Sequence, residues 1–183
     1  LNLPPIHLLQ RDLSHTSEIG DALASHPELW NQHTLRTASP KSPHREVDDI
    51  WVRYSLTYPV DPTKPYYPEW YPACDVLPVR KLARDLMAAV DGEFLGSVLI
   101  TRVPPRKQVY PHRDTDWHAG FYDKYALQLK GNLQQAFCYE GVNFKSETGD
   151  LYWFRNDLDH WVINNSDEER ITLIVCIKPG KGY

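Results

Sequence analysis

A mainly β protein with flanking helices, arranged as an antiparallel sandwich or barrel with the helices outside, is the fold class the sequence predicts. Two observations carry it. From Gly96 onward, short apolar runs recur at close spacing between turn residues. The one strongly periodic helix lies before them, so helices and strands are segregated along the chain. At 183 residues the chain reads as a single domain, 1–183, long enough to bury a core without disulfides. Residues 1–95 are expected to form a helical and loop part packing on a β-core over 96–178.

Taken in order, residues 1–48 are polar and hold five of the eight histidines. One helix is predicted over 16–26, with Ser14 or Thr16 as N-cap and Leu23 and Leu29 as apolar positions. Residues 38–45 read as loop, and 50–54 as a short strand. The stretch 57–74 carries Pro59, Pro62, Pro65, Pro68 and Pro72 among aromatics including Tyr58, Tyr66, Trp70 and Tyr71. Proline at that density forbids regular pairing, so this is an ordered loop packed on the core or a lid over a site. A helix over 76–90 follows, with Asp75 as N-cap, Val79, Leu82, Ala83, Leu86 and Val90 on one face, and Gly92 just past its end. Strands are then expected over 97–103, 107–112, 124–130, 134–140, 149–154, 160–164 and 170–177.

Composition narrows the function. Lys plus Arg is 20 against 24 Asp plus Glu, for a formal charge of −4. With no run of like charge, this argues against a nucleic-acid or anionic-membrane partner. Cys74, Cys138 and Cys176 show no paired spacing, so neither a disulfide framework nor a cysteine zinc site is indicated. No apolar stretch reaches the ~20 residues that span a bilayer, and no signal peptide opens the chain. A soluble, cytoplasmic protein is the expectation.

The chemistry-bearing residues lie in the β-rich half. In His112-Arg113-Asp114 an imidazole and a carboxylate stand at i and i+2, which on a strand leave the same face and reach one ion. His160 as a third ligand completes two His and one carboxylate, the set that holds non-haem Fe(II) on one face and leaves open positions opposite. The triplet alone is weak, since H-x-E also occurs at His26/Glu28 and His44/Glu46 outside convincing strands. If residue 164 pairs opposite 170, His160, Val162, Asn164, Arg170 and Thr172 all share one face. The strand 170–177 is otherwise apolar on both faces. An arginine at its mouth needs an anionic partner or water: either a bridge to an acid at the strand end, or a ligand carboxylate clamped by its fork.

Four separated blocks then fall in a recognisable order: Thr101-Arg102-Val103-Pro104-Pro105 with Tyr110-Pro111-His112-Arg113-Asp114, Gly149-Asp150-Leu151-Tyr152-Trp153-Phe154, His160-Trp161-Val162-Ile163-Asn164-Asn165, and Glu169-Arg170-Ile171-Thr172-Leu173. Over about 96–178 the chain resembles the aspartyl/asparaginyl β-hydroxylase family of Fe(II)/2-oxoglutarate-dependent oxygenases. The resemblance implies a double-stranded β-helix (jelly-roll, cupin-like) core. It implies His112, Asp114 and His160 as Fe(II) ligands, and Arg170, assisted by Thr172, on the distal carboxylate of 2-oxoglutarate. O2 is the remaining cosubstrate, and the substrate an amino acid or a peptidyl Asp/Asn-type side chain. The family often has Gly after the Pro-Pro pair, where this chain has Arg106. It often has Arg and His on the strand after H-x-D, where this chain offers Lys124 as a point charge and Gln128 as a hydrogen-bond donor.

Three aromatics remain as pocket candidates. Trp117 is either substrate wall or core packing. Tyr110 shares strand parity with His112 and is either a cosubstrate contact or a core tyrosine. Trp70 belongs to the aromatic loop. His118 reads as a loop residue and Cys176 as a small core residue. Two rival classes stay open: a non-catalytic metal-binding jelly-roll module, which has no need of Arg170, and an oxygenase with another oxidative outcome. A nucleobase-modifying oxygenase finds no support in the charge.

Overall fold

The computed structural model describes residues 4–11, 16–55, 65 and 67–180. Among the described residues, eleven strands form two antiparallel sheets facing one another. In chain order they are β1 (Ile6–Gln10), β2 (Asp48–Tyr54), β3 (Glu69–Trp70), β4 (Gly92–Val103), β5 (Gln108–His112), β6 (Asp123–Lys130), β7 (Gln135–Tyr139), β8 (Val142–Phe144), β9 (Leu151–Phe154), β10 (His160–Asn164) and β11 (Arg170–Pro179). The large sheet runs β1-β9-β6-β11-β4-β2-β3 and the small one β5-β10-β7-β8. This is a jelly-roll core. Among the described residues the α-helices are α1 (Thr16–Ser25), α2 (Ala73–Val76), α3 (Val79–Ala89) and α4 (Trp117–Phe121).

Strand alternation divides the large sheet into two unlike faces. Val98 and Ile100 on β4, Leu127 and Leu129 on β6, and Leu173, Val175 and Ile177 on β11 point outward. There they form one core with Ile19 and Leu23 of α1 and Val79, Leu82 and Leu86 of α3. Their neighbours in sequence, among them Thr101, Ala126 and Thr172, point inward to a cavity between the sheets. A second core closes that space, with Val103, Tyr152 and Phe154 from the large sheet meeting Val109, Phe137 and Val162 from the small one.

Several expectations are corrected. The helix placed over 76–90 is two pieces, because Pro78 removes an amide and bars Leu77 from the helical region (φ −98°, ψ 129°). Asp75 therefore lies inside α2 rather than capping the longer helix. At the far end the left-handed residue is Asp91 (φ 51°). Gly92 opens β4, where a Cβ would stand 2.6 Å from the Ile177 side chain. Residues before 96 do more than pack on the core: β1, β2 and β3 are strands of the large sheet. The short β1, β3 and β8 carried too little pattern to be predicted. Ser14 and the Tyr58 and Tyr66 part of the proline-rich loop lie outside the described residues.

The pairing of 164 with 170 is also overturned. β10 pairs with β5 and β7, whereas β11 pairs with β4 and β6. The turn between them carries the chain from one sheet to the other instead of closing a hairpin. Asn164 organises the crossing: its amide donates to the carbonyls of Val103, Pro104 and Glu168, and its Oδ1 accepts from Ser166 N. His160 and Arg170 thus come from opposite sheets and meet across the cavity. Arg106, standing where the family often has Gly, adopts φ 62°. That left-handed conformation favours glycine, and here the side chain is tied to Asp167 and the Asn165 carbonyl.

Candidate metal centre and cosubstrate pocket

His112 ends β5 and is the direct cross-strand partner of His160 at the start of β10, which sets their rings 4.3 Å apart between centroids. Asp114 follows in the loop, its amide donating to the Asn156 carbonyl at 3.0 Å. The donor atoms of His112, Asp114 and His160 all lie within 4.8 Å of one another. Both imidazoles are oriented alike. His112 Nδ1 lies 2.8 Å from the Tyr110 carbonyl and His160 Nδ1 lies 2.8 Å from the Leu158 carbonyl. A carbonyl only accepts, so each Nδ1 carries the proton and each Nε2 keeps its lone pair for an ion. Asp114 Oδ2 is taken by the Lys124 ammonium. Its Oδ1 faces His112 Nε2 at 3.7 Å, leaving one oxygen as ligand.

The electrostatics agree with that donor set. Burial pushes His160 down to about 4, with His112 beside it adding to the effect, and burial lowers His112 too. Burial alone would raise Asp114, but the Lys124 ammonium and the two imidazoles outweigh it and hold its carboxyl well below the usual range. At neutral pH the three groups are two neutral imidazoles and one carboxylate. These are the protonation states that bind a divalent cation.

Across the cavity, Arg170 is 3% exposed. Its Nη1 donates to Thr172 Oγ1 at 2.6 Å and its Nη2 to Tyr152 Oη at 3.0 Å. Among the described residues no carboxylate stands within ion-pair distance of it, so the acid at the strand end considered as its partner is not there. Gln128 does not reach the cavity. Its amide nitrogen donates to the carbonyls of Lys130 and Ile171, while Oε1 accepts from Ser146 and Thr172. It steadies the Thr172 hydroxyl and has no donor left for a cosubstrate.

The three aromatic candidates lie off the cavity. Trp117 stacks on Phe121 at 4.7 Å, Tyr110 is covered by the Arg45 guanidinium at 3.3 Å, and Trp70 sits under Arg53 and Arg80. Sequence reasoning missed residues that do line it. Arg36 and His44 come from the N-terminal part, the His44 ring standing edge-on to His112 at 4.8 Å. His118 is on α4, whose first turn is capped by Asp116 accepting from Ala119 N at 2.8 Å. It is buried, with Nε2 3.1 Å from Ser97 Oγ. His44 had stood in a dismissed H-x-E pair. Nothing local marked Arg36.

These buried neutral histidines predict an acid-sensitive fold. Burial holds His118 down to about 3 and His160 to about 4, against an unfolded value near 6.5. The unfolded chain therefore takes up protons first, and stability falls as pH drops from about 6.5 towards 4, by on the order of a few kcal/mol. Urea midpoints of the metal-free protein across that range check the sign, and His118→Gln should flatten the slope. A midpoint independent of pH there would contradict the burial argument.

Comparison with known proteins agrees with the geometry. The family model described as aspartyl/asparaginyl beta-hydroxylase matches residues 14–179. No curated protein sequence matches significantly. Among solved structures, the chain is similar to a prolyl hydroxylase from Trichoplax adhaerens in complex with a hypoxia-inducible factor peptide fragment. The TM-score is 0.66 at 11% identity, over 97% of this chain and 85% of that one. It is also similar to a viral collagen prolyl hydroxylase from Paramecium bursaria Chlorella virus 1, solved with 2OG, with a TM-score of 0.54 at 14% identity over 97% of each chain. A 2OG-Fe(II) oxygenase family oxidoreductase from Burkholderia pseudomallei gives 0.53 at 14%, over 74% and 69%. At these identities the likeness is one of fold. No helix among the described residues is long and apolar enough to cross a membrane.

Proposed function

The chain belongs to the aspartyl/asparaginyl beta-hydroxylase family, and we propose that it uses Fe(II), 2-oxoglutarate and O2 to hydroxylate an unactivated C–H bond of an amino acid or a peptidyl Asp/Asn-type side chain. One observation carries the reading: a His112–Asp114–His160 donor set and a buried, acid-free Arg170 line the same cavity. A structural metal site has no use for the second feature. The Trichoplax prolyl hydroxylase is solved with a peptide fragment, which supports the peptide reading of the substrate.

Held by His112, Asp114 and His160, Fe(II) would supply the redox chemistry that couples reduction of O2 and oxidative decarboxylation of 2-oxoglutarate, to succinate and CO2, to hydroxylation of the substrate. The chain's own residues do the rest. His112 and His160 present Nε2, held in that tautomer by the Tyr110 and Leu158 carbonyls. Lys124 occupies one oxygen of Asp114 and keeps the other as a single ligand atom. Arg170 and Thr172 receive the distal carboxylate of 2-oxoglutarate, whose charge supplies the anion that the buried guanidinium lacks. Val103, Val109, Ala126, Phe137 and Ile174 wall the cavity of about 620 Å³ with apolar surface, which excludes water around the reacting bond.

Anaerobic addition of Fe(II) and then 2-oxoglutarate tests the reading. A weak visible metal-to-ligand charge-transfer band is expected only when both are present, followed by succinate formation on admission of air. No band under reducing, metal-replete conditions would leave a non-catalytic jelly roll as the better account.

A further inference from the structure

Besides Arg170, and Arg113 with its partner Asp159, the cavity is lined by a third guanidinium that the cosubstrate does not account for. Arg36 comes from the loop before β2 and lines the cavity. Its Nη1 donates to Asp49 Oδ2 at 2.6 Å, with the arginine side chain 16% exposed and the aspartate side chain fully buried. Asp49 is held in turn by Thr101, whose hydroxyl donates to Oδ1 at 3.0 Å. The mount is therefore rigid. Nε and Nη2 of Arg36 make no hydrogen bond to any described residue. Arginine carries five N–H donors in a planar fork that matches a carboxylate, and most of this fork is open.

Its position is set by the sheet. Thr172, which carries Arg170, is the cross-strand partner of Thr101, and Thr101 is the cross-strand partner of Asp49, which carries Arg36. The two guanidinium mounts thus stand at one level of the sheet, two strand spacings or about 10 Å apart. On the far side of Asp49 the same face of β2 continues to Trp51, whose ring packs on Tyr54 at 4.2 Å between centroids, and Tyr54 also lines the cavity.

We propose that Arg36, mounted on Asp49, is the receptor for a carboxylate of the substrate, so that this enzyme acts on an acid-bearing molecule whose carboxylate docks opposite the Arg170 end. The proposal rests on the reading of the cavity as a 2-oxoglutarate oxygenase site and names the substrate class for it. Arg36 determines specificity by holding the substrate. The carboxylate is either the α-carboxylate of a free amino acid or the side-chain carboxylate of an acidic residue in a peptide.

Calorimetric titration of the Zn(II)- and 2-oxoglutarate-loaded protein decides the matter with three probes of one skeleton. L-asparagine offers only an α-carboxylate, N-acetyl-L-aspartate α-methylamide only a side-chain carboxylate, and N-acetyl-L-asparagine α-methylamide neither. One acid should bind the wild type about tenfold or more tightly than the neutral probe, as a charge-assisted fork contact gives, and which acid wins identifies the source. The double variant R36Q/D49N removes the buried pair together, leaving no lone charge. It should keep its melting temperature and 2-oxoglutarate affinity and lose the preference for acid. Should the double variant not fold, R36K keeps the partner of Asp49, loses the fork, and should lower the preference about fivefold. The proposal is overturned if neither acid outbinds the neutral probe, if the preference survives in these variants, or if the double variant loses 2-oxoglutarate instead. Failure of the wild type to bind 2-oxoglutarate at all strikes the underlying oxygenase reading, and this inference goes with it.

Discussion

Replacing Asp114 by alanine is expected to lower divalent-metal affinity by more than about 100-fold, since loss of a mere outer partner of a metal ligand already costs 10–100-fold. Succinate formation at fixed Fe(II) should fall at least as far. Two effects act together. The only carboxylate of the set disappears, and Lys124, whose ammonium is bound to Asp114, is left as a partly buried, unpaired cation beside the ion site. The same unpaired charge should destabilise the metal-free fold by up to about 3 kcal/mol, below the cost of breaking a fully buried pair because both side chains are only partly buried. The two effects separate cleanly. Adding Lys124→Met to Asp114→Ala should restore most of the stability and none of the metal binding. Titration with Mn(II) and denaturant unfolding of the single and double variants read the two quantities independently. If the single variant kept its metal affinity, the His112–Asp114–His160 assignment would fail.

The His112–Asp114–His160 cluster was legible because its geometry is local. In His112-Arg113-Asp114 the two side chains are only two residues apart, and although Asp114 lies in the loop just past β5, that short separation keeps its carboxylate beside His112. His160 needed one further step, pairing directly opposite His112, and the four blocks of the family resemblance supplied it. What local pattern could not supply was the crossing of the chain between sheets. The turn after Asn164 has the length of a hairpin loop, and a hairpin was the natural reading. Only the three carbonyls gathered by the Asn164 amide, from Val103, Pro104 and Glu168, turn it into a passage from one sheet to the other. Side chains expected on one face of one sheet therefore converge from two.

The same limit explains the pocket walls. Parity placed Tyr110 beside His112, yet a cation from the N-terminal loop, Arg45, covers its ring. Trp117, three residues past Asp114, reads from sequence as either substrate wall or core packing. The cap at Asp116 winds that stretch into a short helix, which turns His118 inward and leaves Trp117 stacked on Phe121. Arg36 and His44 reach the cavity through tertiary packing of a segment with no periodicity, so nothing in their spacing could announce them. Residues whose role depends on partners tens of positions away become visible only when the fold is built.

Arg170 yields the sharpest contrast between stability and function. In the ligand-free protein it is a buried cation with hydroxyl partners and no acid among the described residues. Desolvating a charge without an opposite charge costs free energy. Arg170→Met keeps the length of the side chain and removes that cost, so the ligand-free variant should be more stable by about 1–2 kcal/mol. For a chain of this size that is a rise of about 3–6 °C in melting temperature. Binding of 2-oxoglutarate should weaken by about 100-fold or more, the scale of losing one partner of a buried charge pair. Its stabilising effect on the wild type, which follows from binding only the folded state, should disappear with it. Arg170→Lys should fall between, keeping the charge and losing the fork. The opposite signs are what discriminate. Were Arg170 a structural residue paired with an acid, its loss would lower the melting temperature and leave 2-oxoglutarate affinity unchanged. A receptor held ready for an absent anion predicts the reverse on both counts, and melting curves of the two variants with and without 2-oxoglutarate measure each directly.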